Sequence, residues 1–183
     1  MIAILIPAYN EAATLRDLVV RALKISSCVI VVDDGSTDDT ARVVQDLPVV
    51  LLRNDKNQGK AASLWRGMQH ALRLGVEAVV TLDGDGQHAP EDIPRLIEAS
   101  RGHAHHIIIG ARLKDAAAIP RSRYIANRIA NFWISWACGQ RLEDSQSGFR
   151  LYPADLLRAL HLKHDKAHGF VFESEVLIEA ARL

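Results

Sequence analysis

The sequence is poor in cysteine, in excess charge of either sign and in long apolar runs. Its two cysteines, Cys28 and Cys138, lie in apolar surroundings, which favours free buried thiols in a reducing compartment over a disulfide. The 22 basic residues are matched by 22 acidic ones, so no basic surface indicates a nucleic-acid partner. No segment reaches the roughly 18 apolar residues of a membrane span. We therefore expect a soluble globular chain with a core of ordinary size.

One polar stretch stands out because it ends an apolar run abruptly. Residues 79–82 predict a buried strand, and Asp83-Gly84-Asp85-Gly86 follows directly. Neighbouring carboxylates repel each other, and a cation between them relieves the repulsion. Their oxygen atoms suit Mg2+ or Mn2+ rather than Zn2+, and such ions commonly bridge to ligand phosphates. The stretch therefore indicates a diphosphate-bearing substrate, with a turn of two solvated aspartates as the alternative.

Strand-like apolar segments alternate with amphipathic helical patterns along the chain. Strands are expected at 2–6, 28–32, 49–52, 77–82, 107–109 and 149–152, and helices at 15–23, 36–46, 61–74, from Pro90, at 122–137, and after Pro153 and Phe172. This alternation predicts one domain over 1–183, an α/β fold with a parallel, doubly wound sheet.

Three polar clusters follow predicted strands, at the positions where a doubly wound sheet binds its ligands. They are Pro7-Ala8-Tyr9-Asn10-Glu11, Asp33-Asp34-Gly35-Ser36 and residues 83–87. Because the carboxyl ends of parallel strands share one edge of the sheet, we expect these loops to meet there. Their convergence predicts a ligand site from the residues alone.

These loops, with Asn57-Gln58-Gly59-Lys60 and Gln146-Ser147-Gly148-Phe149-Arg150, resemble the motifs of family 2 glycosyltransferases. The resemblance spans nearly the whole chain and is strongest to the dolichol-phosphate mannose synthase and polyprenyl-phosphate glycosyltransferase branch. It implies the GT-A fold, a Rossmann-like, mostly parallel sheet flanked by helices. It also implies inverting, metal-dependent transfer of a hexose from a nucleotide-diphosphate sugar, of the GDP-mannose or UDP-glucose type, to a polyprenyl or dolichyl phosphate.

The resemblance also implies roles for individual residues. Those implied to bind the nucleotide sugar are Pro7, Tyr9, Glu11, Asp33, Asp34, Lys60 and Asp83, and those implied to hold Mg2+ or Mn2+ are Asp83, Asp85 and Gln87. Arg112, Arg123 and Asn127 match positions that face the acceptor phosphate, and Arg128 is a further candidate for that group. A forked guanidinium suits a phosphate. Without the resemblance, Arg123 and Arg128 fit a solvated helix face equally well.

Asp85 and Asp144 are the candidate catalytic residues. A phosphate acceptor is already anionic near neutral pH and needs positioning more than deprotonation, whereas a hydroxyl acceptor needs a general base. Asp144, in Glu143-Asp144-Ser145-Gln146, is the candidate base, with orientation of a substrate or an arginine as the alternative role. Glu143 is a weaker substitute.

The implied partners are the nucleotide-diphosphate sugar and a lipid-linked acceptor at a membrane surface, which places the protein on the cytoplasmic face of a membrane. Two alternative functions are transfer to a hydroxyl of a lipid, pigment or glycan, and a non-catalytic scaffold that binds nucleotide or membrane. Because related catalytic domains continue with another strand, the end of the chain at Leu183 leads us to expect either a truncated domain or an unusually short enzyme.

Three further patterns have an ordinary structural interpretation. The group of His103, His105 and His106 favours a loop over a metal site. Trp133 and Trp136 favour core packing, although a lipid acceptor would give them an interfacial role, since tryptophan prefers the headgroup zone. Glu173 and Glu175 point apart on a helix, which indicates solvent or a salt bridge for at least one of them.

Overall fold

The structure, a computed structural model, describes residues 1–86, 88–111, 121–160 and 172–183, and of residues 121–127 only the backbone. Its strands are β1 (Ile2–Ala8), β2 (Val29–Asp33), β3 (Val50–Arg53), β4 (Ala78–Thr81), β5 (Ile108–Ile109) and β6 (Arg150–Pro153). Its α-helices are α1 (Leu15–Leu23), α2 (Lys60–Arg73), α3 (Ile93–Ser100), α4 (Arg121–Cys138), α5 (Ala154–Ala159) and α6 (Phe172–Ala180).

The six strands form one sheet in the order β3-β2-β1-β4-β6-β5. β3, β2, β1 and β4 run parallel, and β6 runs antiparallel to both of its neighbours. The expected mostly parallel sheet with flanking helices is confirmed, but a wholly parallel sheet is not. The reversal arises because the segment before β6 lies at the carboxyl edge of β4, where Thr81 Oγ1 donates a hydrogen bond to the Gly148 carbonyl. β6 therefore enters the sheet from that edge.

The central strands are buried on both faces, as their continuous apolar sequences predict. In β1, Ile4 and Ile6 face a hydrophobic cluster that includes α1 and α3. Ala3 and Leu5 face the other cluster, which includes α2 and α6. Alternate residues of a strand point to opposite faces, and helices cover both of these apolar faces. The loops that follow the carboxyl ends of the strands are therefore left to form a site.

The helix expected at 36–46 is wrong. Only Arg42–Val44 forms a single 3-10 turn there. The hydroxyls of Ser36 and Thr40 instead accept hydrogen bonds from the backbone N–H groups of Asn10 and Glu11. Short polar side chains compete with a helix for backbone partners in this way, and the segment is consequently fastened to the loop after β1.

The core packing expected for the tryptophans is also wrong. Trp133 is 59% exposed and Trp136 74% exposed, and their rings contact each other edge to face. Phe132 and Ile129 of the same helix are exposed as well. We call these four side chains the aromatic face of α4.

The thiol prediction is confirmed in that neither cysteine forms a disulfide. Cys28 is buried and Cys138 only partly so, and burial raises the pKa of both thiols. Among the described residues, no helix combines the length and the hydropathy required to cross a bilayer.

Gly35 and Gly75 allow the packing of the loop after β2 to be tested. Both have φ of +72°, but a Cβ at Gly35 would lie 2.5 Å from the Lys56 carbonyl carbon, whereas a Cβ at Gly75 meets nothing within 4 Å. We expect Gly75→Ala to lower the free energy of unfolding by about 1 kcal/mol, the cost of left-handed backbone. Gly35→Ala should lower it by roughly 2–4 kcal/mol, because overpacking adds to that strain. Urea unfolding measures both losses, and equal losses would contradict the close packing.

Candidate functional site

The carboxyl ends of β1, β2 and β4 open into one cleft of about 370 Å³, within the roughly 300–1,000 Å³ usual for ligand pockets. Its lining residues come from the three loops predicted to converge, from the loop before α2 and from the start of α2; they are Pro7, Ala8, Tyr9, Glu11, Asp34, Asn57, Gly59, Lys60, Ser63, Asp83, Gly84 and Asp85. The structure therefore brings together every residue implied to bind the nucleotide sugar except Asp33.

Direct contacts hold the loops of the cleft together. Thr14 Oγ1 donates a 2.8 Å hydrogen bond to the Gly84 carbonyl, which joins the loop after β1 to the loop after β4. A Cβ at Gly84 would lie 3.0 Å from the Pro7 carbonyl oxygen, so the two backbones are in close contact and a larger residue would push them apart. The Asn10 amide oxygen accepts a 2.9 Å hydrogen bond from the Thr37 N–H, which joins the loop after β1 to the loop after β2.

Asp33 lies beneath the cleft rather than in its lining. It is fully buried, and its Oδ1 accepts a 2.9 Å hydrogen bond from the Ser36 N–H. Arg53 Nε lies 3.1 Å from Oδ2, an ion pair without hydrogen-bond geometry. Asp33 therefore stabilises the turn at the end of β2.

Asp34 lines the cleft and also organises the loop that leads into α2. Its Oδ1 accepts hydrogen bonds from the Asn54 side-chain amide at 2.6 Å and the Gln58 N–H at 3.0 Å. Its Oδ2 accepts one from the Gly59 N–H at 2.8 Å. A buried carboxylate requires such donors, and together they fix the backbone immediately before Lys60.

Lys60 and Asp83 form an ion pair inside the cleft. Lys60 Nζ lies 2.6 Å from Asp83 Oδ1 and 3.2 Å from Glu173 Oε1. Burial alone would lower the pKa of the Lys60 ammonium, but the charges of Glu173 and Asp83 outweigh it and raise that pKa above its usual value. Lys60 is thus a cation at neutral pH, placed where an anionic group could bind.

The carboxylates of Asp83 and Asp85 offer the oxygen atoms that a divalent ion such as Mg2+ prefers. Both line the cleft, and Asp83 already contacts a positive charge at 2.6 Å. Among the described residues there is no group of three or more His, Cys, Asp or Glu side chains that could hold a metal. Two carboxylates completed by water and phosphate oxygens are typical of Mg2+. Gln87, the third implied ligand, lies outside the described residues.

The histidines at 103, 105 and 106 lie on the exposed loop between α3 and β5, and the rings of His103 and His106 contact each other edge to face. The loop interpretation is confirmed for this group.

Arg150 ends one of the motifs that carry the family resemblance, but no role was predicted for it. It is fully buried and donates hydrogen bonds to the carbonyls of Ser147 at 2.7 Å, Ser145 at 2.8 Å and Glu173 at 2.8 Å. The sequence offered two signals, its place at the end of the motif over residues 146–150 and its charge beside an apolar strand segment. The loop that Arg150 holds packs closely against the carboxylate of the Lys60–Asp83 ion pair, since a Cβ at Gly148 would lie 2.6 Å from both Asp83 carboxylate oxygens.

Asp144 lies on this same loop, anchored by α4. Asn131 donates a 2.9 Å hydrogen bond to the Glu143 carbonyl, and its amide oxygen accepts hydrogen bonds from the N–H and the hydroxyl of Ser145. Asp144 Oδ1 accepts a hydrogen bond from the Gln146 N–H. The Asp144 side chain is partly exposed and is not among the residues that line the described cleft.

The structure describes only part of the group of residues implied to face the acceptor phosphate. Arg112 lies outside the described residues. Arg123 and Asn127 lie in α4, but their side chains are likewise outside them. Arg128 is exposed.

A family model for glycosyl transferase family 2 matches residues 3–164. The chain belongs to this family. It is a glycosyltransferase, as the motifs in its loops indicated.

Named relatives align with almost the whole glycosyltransferase chain. It is 28% identical to the UDP-N-acetylglucosamine–dolichyl-phosphate N-acetylglucosaminyltransferase of Methanococcus voltae, over all of this chain and 80% of that protein. It is 32% identical to the undecaprenyl-phosphate mannosyltransferase of Micrococcus luteus, over 98% of this chain and 77% of that protein.

Solved structures confirm the GT-A fold. Glucosyl-3-phosphoglycerate synthase of Mycobacterium tuberculosis, crystallised with Mn2+, UDP-glucose and phosphoglyceric acid, superposes with a TM-score of 0.70 at 20% identity, over 97% of this chain and 66% of that one. A second structure of the same enzyme, with Mn2+ and UDP-glucose, gives 0.63 at 22% identity. In that comparison the glycosyltransferase chain spans 58% of the crystallised chain.

Removal of the buried guanidinium tests the role of Arg150. Arg150→Met leaves three carbonyls without their charged donor, so we expect the free energy of unfolding to fall by about 2–5 kcal/mol. Arg158→Met is the control, because Arg158 is about half exposed and pairs only with the exposed Asp155 among the contacts described; its loss should stay within about 0.5 kcal/mol. Urea unfolding of both variants gives the comparison. Similar losses would show that the buried network contributes little to stability.

Proposed function

We propose that this glycosyltransferase binds a nucleotide-diphosphate sugar in the cleft together with Mg2+ or Mn2+. It transfers the hexose, with inversion, to a polyprenyl or dolichyl phosphate at a membrane surface. The observation that carries the proposal is the meeting of Asp83, Asp85 and Lys60 at the carboxyl edge of β1, β2 and β4. The names of the relatives, which include dolichyl-phosphate and undecaprenyl-phosphate enzymes, support the acceptor. The Mn2+ and UDP-glucose of a protein with the same fold support the donor and the ion.

The donor is held by charge and by shape. Asp83 and Asp85 would hold the divalent ion, which would supply positive charge next to the departing diphosphate. Lys60 places a second positive charge in the same cleft, and such preorganised charge is usually the largest contribution to catalysis. Pro7, Tyr9 and Asp34 form the part of the lining that receives the nucleoside.

The acceptor approaches from the side of α4. Its phosphate is already anionic, so the protein needs to position it more than to deprotonate it. We assign that positioning to Arg112, Arg123 and Asn127. Asp144 lies on the loop that Asn131 of α4 anchors, and it orients the acceptor or removes a proton from it.

The aromatic face and the charge of α4 support the proposal that the acceptor side contacts an anionic bilayer. Residues 121–138 include three arginines and no acidic residue, which complements an anionic headgroup surface. Exposed tryptophan favours the same zone. Since each residue turns a helix by about 100°, Trp133 and Trp136 lie opposite Asn131. One side of α4 thus meets the membrane while the other holds the Asp144 loop.

The transfer reaction is tested with purified protein, Mn2+, undecaprenyl phosphate and either GDP-mannose or UDP-glucose. We expect a glycosyl phosphodiester that mild acid cleaves. Asp85→Asn should lower kcat/KM by at least about 100-fold, since it removes one of the two carboxylates from the ion. Asp155→Asn is the control for a lost carboxylate, because Asp155 is exposed and distant in the sequence from the cleft, and it should match the wild type.

The same assay separates the alternatives. If the product is stable to mild acid and forms only with hydroxyl acceptors, the acceptor group is a hydroxyl and not a lipid phosphate. Donor binding without turnover would indicate a scaffold. Asp144→Asn should retain donor affinity and lose turnover, and equal turnover would remove Asp144 from the mechanism.

Membrane contact is tested by sedimentation with vesicles of phosphatidylglycerol and phosphatidylcholine. The double variant Trp133→Ser, Trp136→Ser should bind these vesicles at least about tenfold more weakly than the wild type, because it removes two indoles from the interface. Leu74→Ser is the control, since Leu74 is an exposed apolar residue at the end of α2, and it should leave binding unchanged. Equal binding by the double variant and the wild type would exclude the aromatic face as the contact.

A further inference from the structure

The ammonium of Lys60 is shared between two carboxylates from different parts of the chain. Asp83 follows β4, and Glu173 lies in the first turn of α6. Both carboxylate side chains are about one-quarter exposed, at 26% and 25%. The Lys60–Asp83 distance is 2.6 Å and the Lys60–Glu173 distance is 3.2 Å, so the ammonium lies closer to Asp83 while remaining in contact with Glu173.

The backbone of Glu173 is held in place independently of this ion pair. Its carbonyl oxygen accepts a 2.8 Å hydrogen bond from Arg150. The preceding residue, Phe172, is buried and packs edge to face against Trp65 of α2, with ring centroids 6.2 Å apart. The carboxylate therefore projects toward Lys60 from a fixed helix start.

These contacts close a ring around the ion pair. Arg150 holds the loop that contains Gly148, and the Gly148 backbone packs on the Asp83 carboxylate. Lys60 pairs with both Asp83 and Glu173, and the Glu173 carbonyl accepts a hydrogen bond from Arg150, which completes the ring. A change at Glu173 consequently acts on Asp83 through Lys60.

We propose that Glu173 is a positioning residue of the donor site, which keeps the Lys60 ammonium in the cleft when a divalent ion takes over Asp83. This inference rests on the proposed function. Two cations that share one carboxylate repel each other. With Glu173 present, Lys60 retains an anionic partner while Asp83 turns to the ion, and its charge remains available to the diphosphate. Without Glu173, Lys60 competes with the ion for Asp83.

The test is calorimetric titration of UDP and GDP into the protein at increasing Mn2+ concentrations, together with steady-state kinetics. Glu173→Gln keeps the size of the side chain and removes its charge. We expect it to raise the Mn2+ concentration needed for half-maximal nucleotide binding by roughly five- to tenfold, and to raise KM for the donor while kcat changes less than about twofold. Glu175→Gln is the matched control, because it lies two residues further along the same helix, and it should behave as the wild type.

A double-mutant cycle with Lys60→Met separates positioning from a general structural effect. In the Lys60→Met background, Glu173→Gln should have no further effect on the Mn2+ requirement, because its partner is gone. Urea unfolding of each variant shows whether the fold is retained. The same effect in both backgrounds, or a Glu173→Gln variant that matches Glu175→Gln, would overturn the proposal.

The wild-type titration separates a failure of the proposed function from a failure of the role assigned to Glu173. If the wild type binds no nucleotide with Mn2+, the proposed function fails and the role of Glu173 in the donor site fails with it. If the wild type binds nucleotide and Glu173→Gln binds identically, only the role of Glu173 is contradicted.

Discussion

The site depends on the register of three parallel strands. Ala8 of β1 lies beside Asp33 of β2, and Leu5 of β1 lies beside Thr81 of β4. Because the strands run in the same direction, their carboxyl ends deliver three acidic loops to one edge, the position at which open α/β sheets bind ligands. A slip of one residue would turn every strand side chain to the other face, and it would replace the close packing of both buried faces with cavities and clashes. The core thus fixes the site.

Two buried charges of opposite sign then shape the loops. Asp34 accepts hydrogen bonds from the segment before α2, and Arg150 donates hydrogen bonds to the segment before β6 and to the start of α6. Each charge is stable inside the protein because polar backbone groups surround it. Lys60 and Asp83 lie between the two loops that these charges organise, so the ion pair is a consequence of both.

The sequence predicted what is encoded locally. The apolar strands, the two carboxylates of Asp83 and Asp85 and their common edge follow from spacing alone, and the family follows from motifs. The antiparallel direction of β6, the loss of a helix at 36–46 and the proximity of Glu173 to Lys60 depend on tertiary contacts between segments far apart in the chain. The exposure of Trp133 had no local signal either, since a helical stripe of aromatic residues has the same pattern in a core as at an interface.

The proposed function requires one divalent ion that joins the donor to the carboxylates after β4. Anomalous diffraction at the manganese edge, from crystals grown with Mn2+ and a nucleotide-diphosphate sugar, tests it most directly. We expect a single strong peak within about 2.5 Å of carboxylate oxygens of Asp83 or Asp85, with the diphosphate bound to the same ion. A peak elsewhere, or a donor bound in the cleft with no ion at these carboxylates, would contradict it.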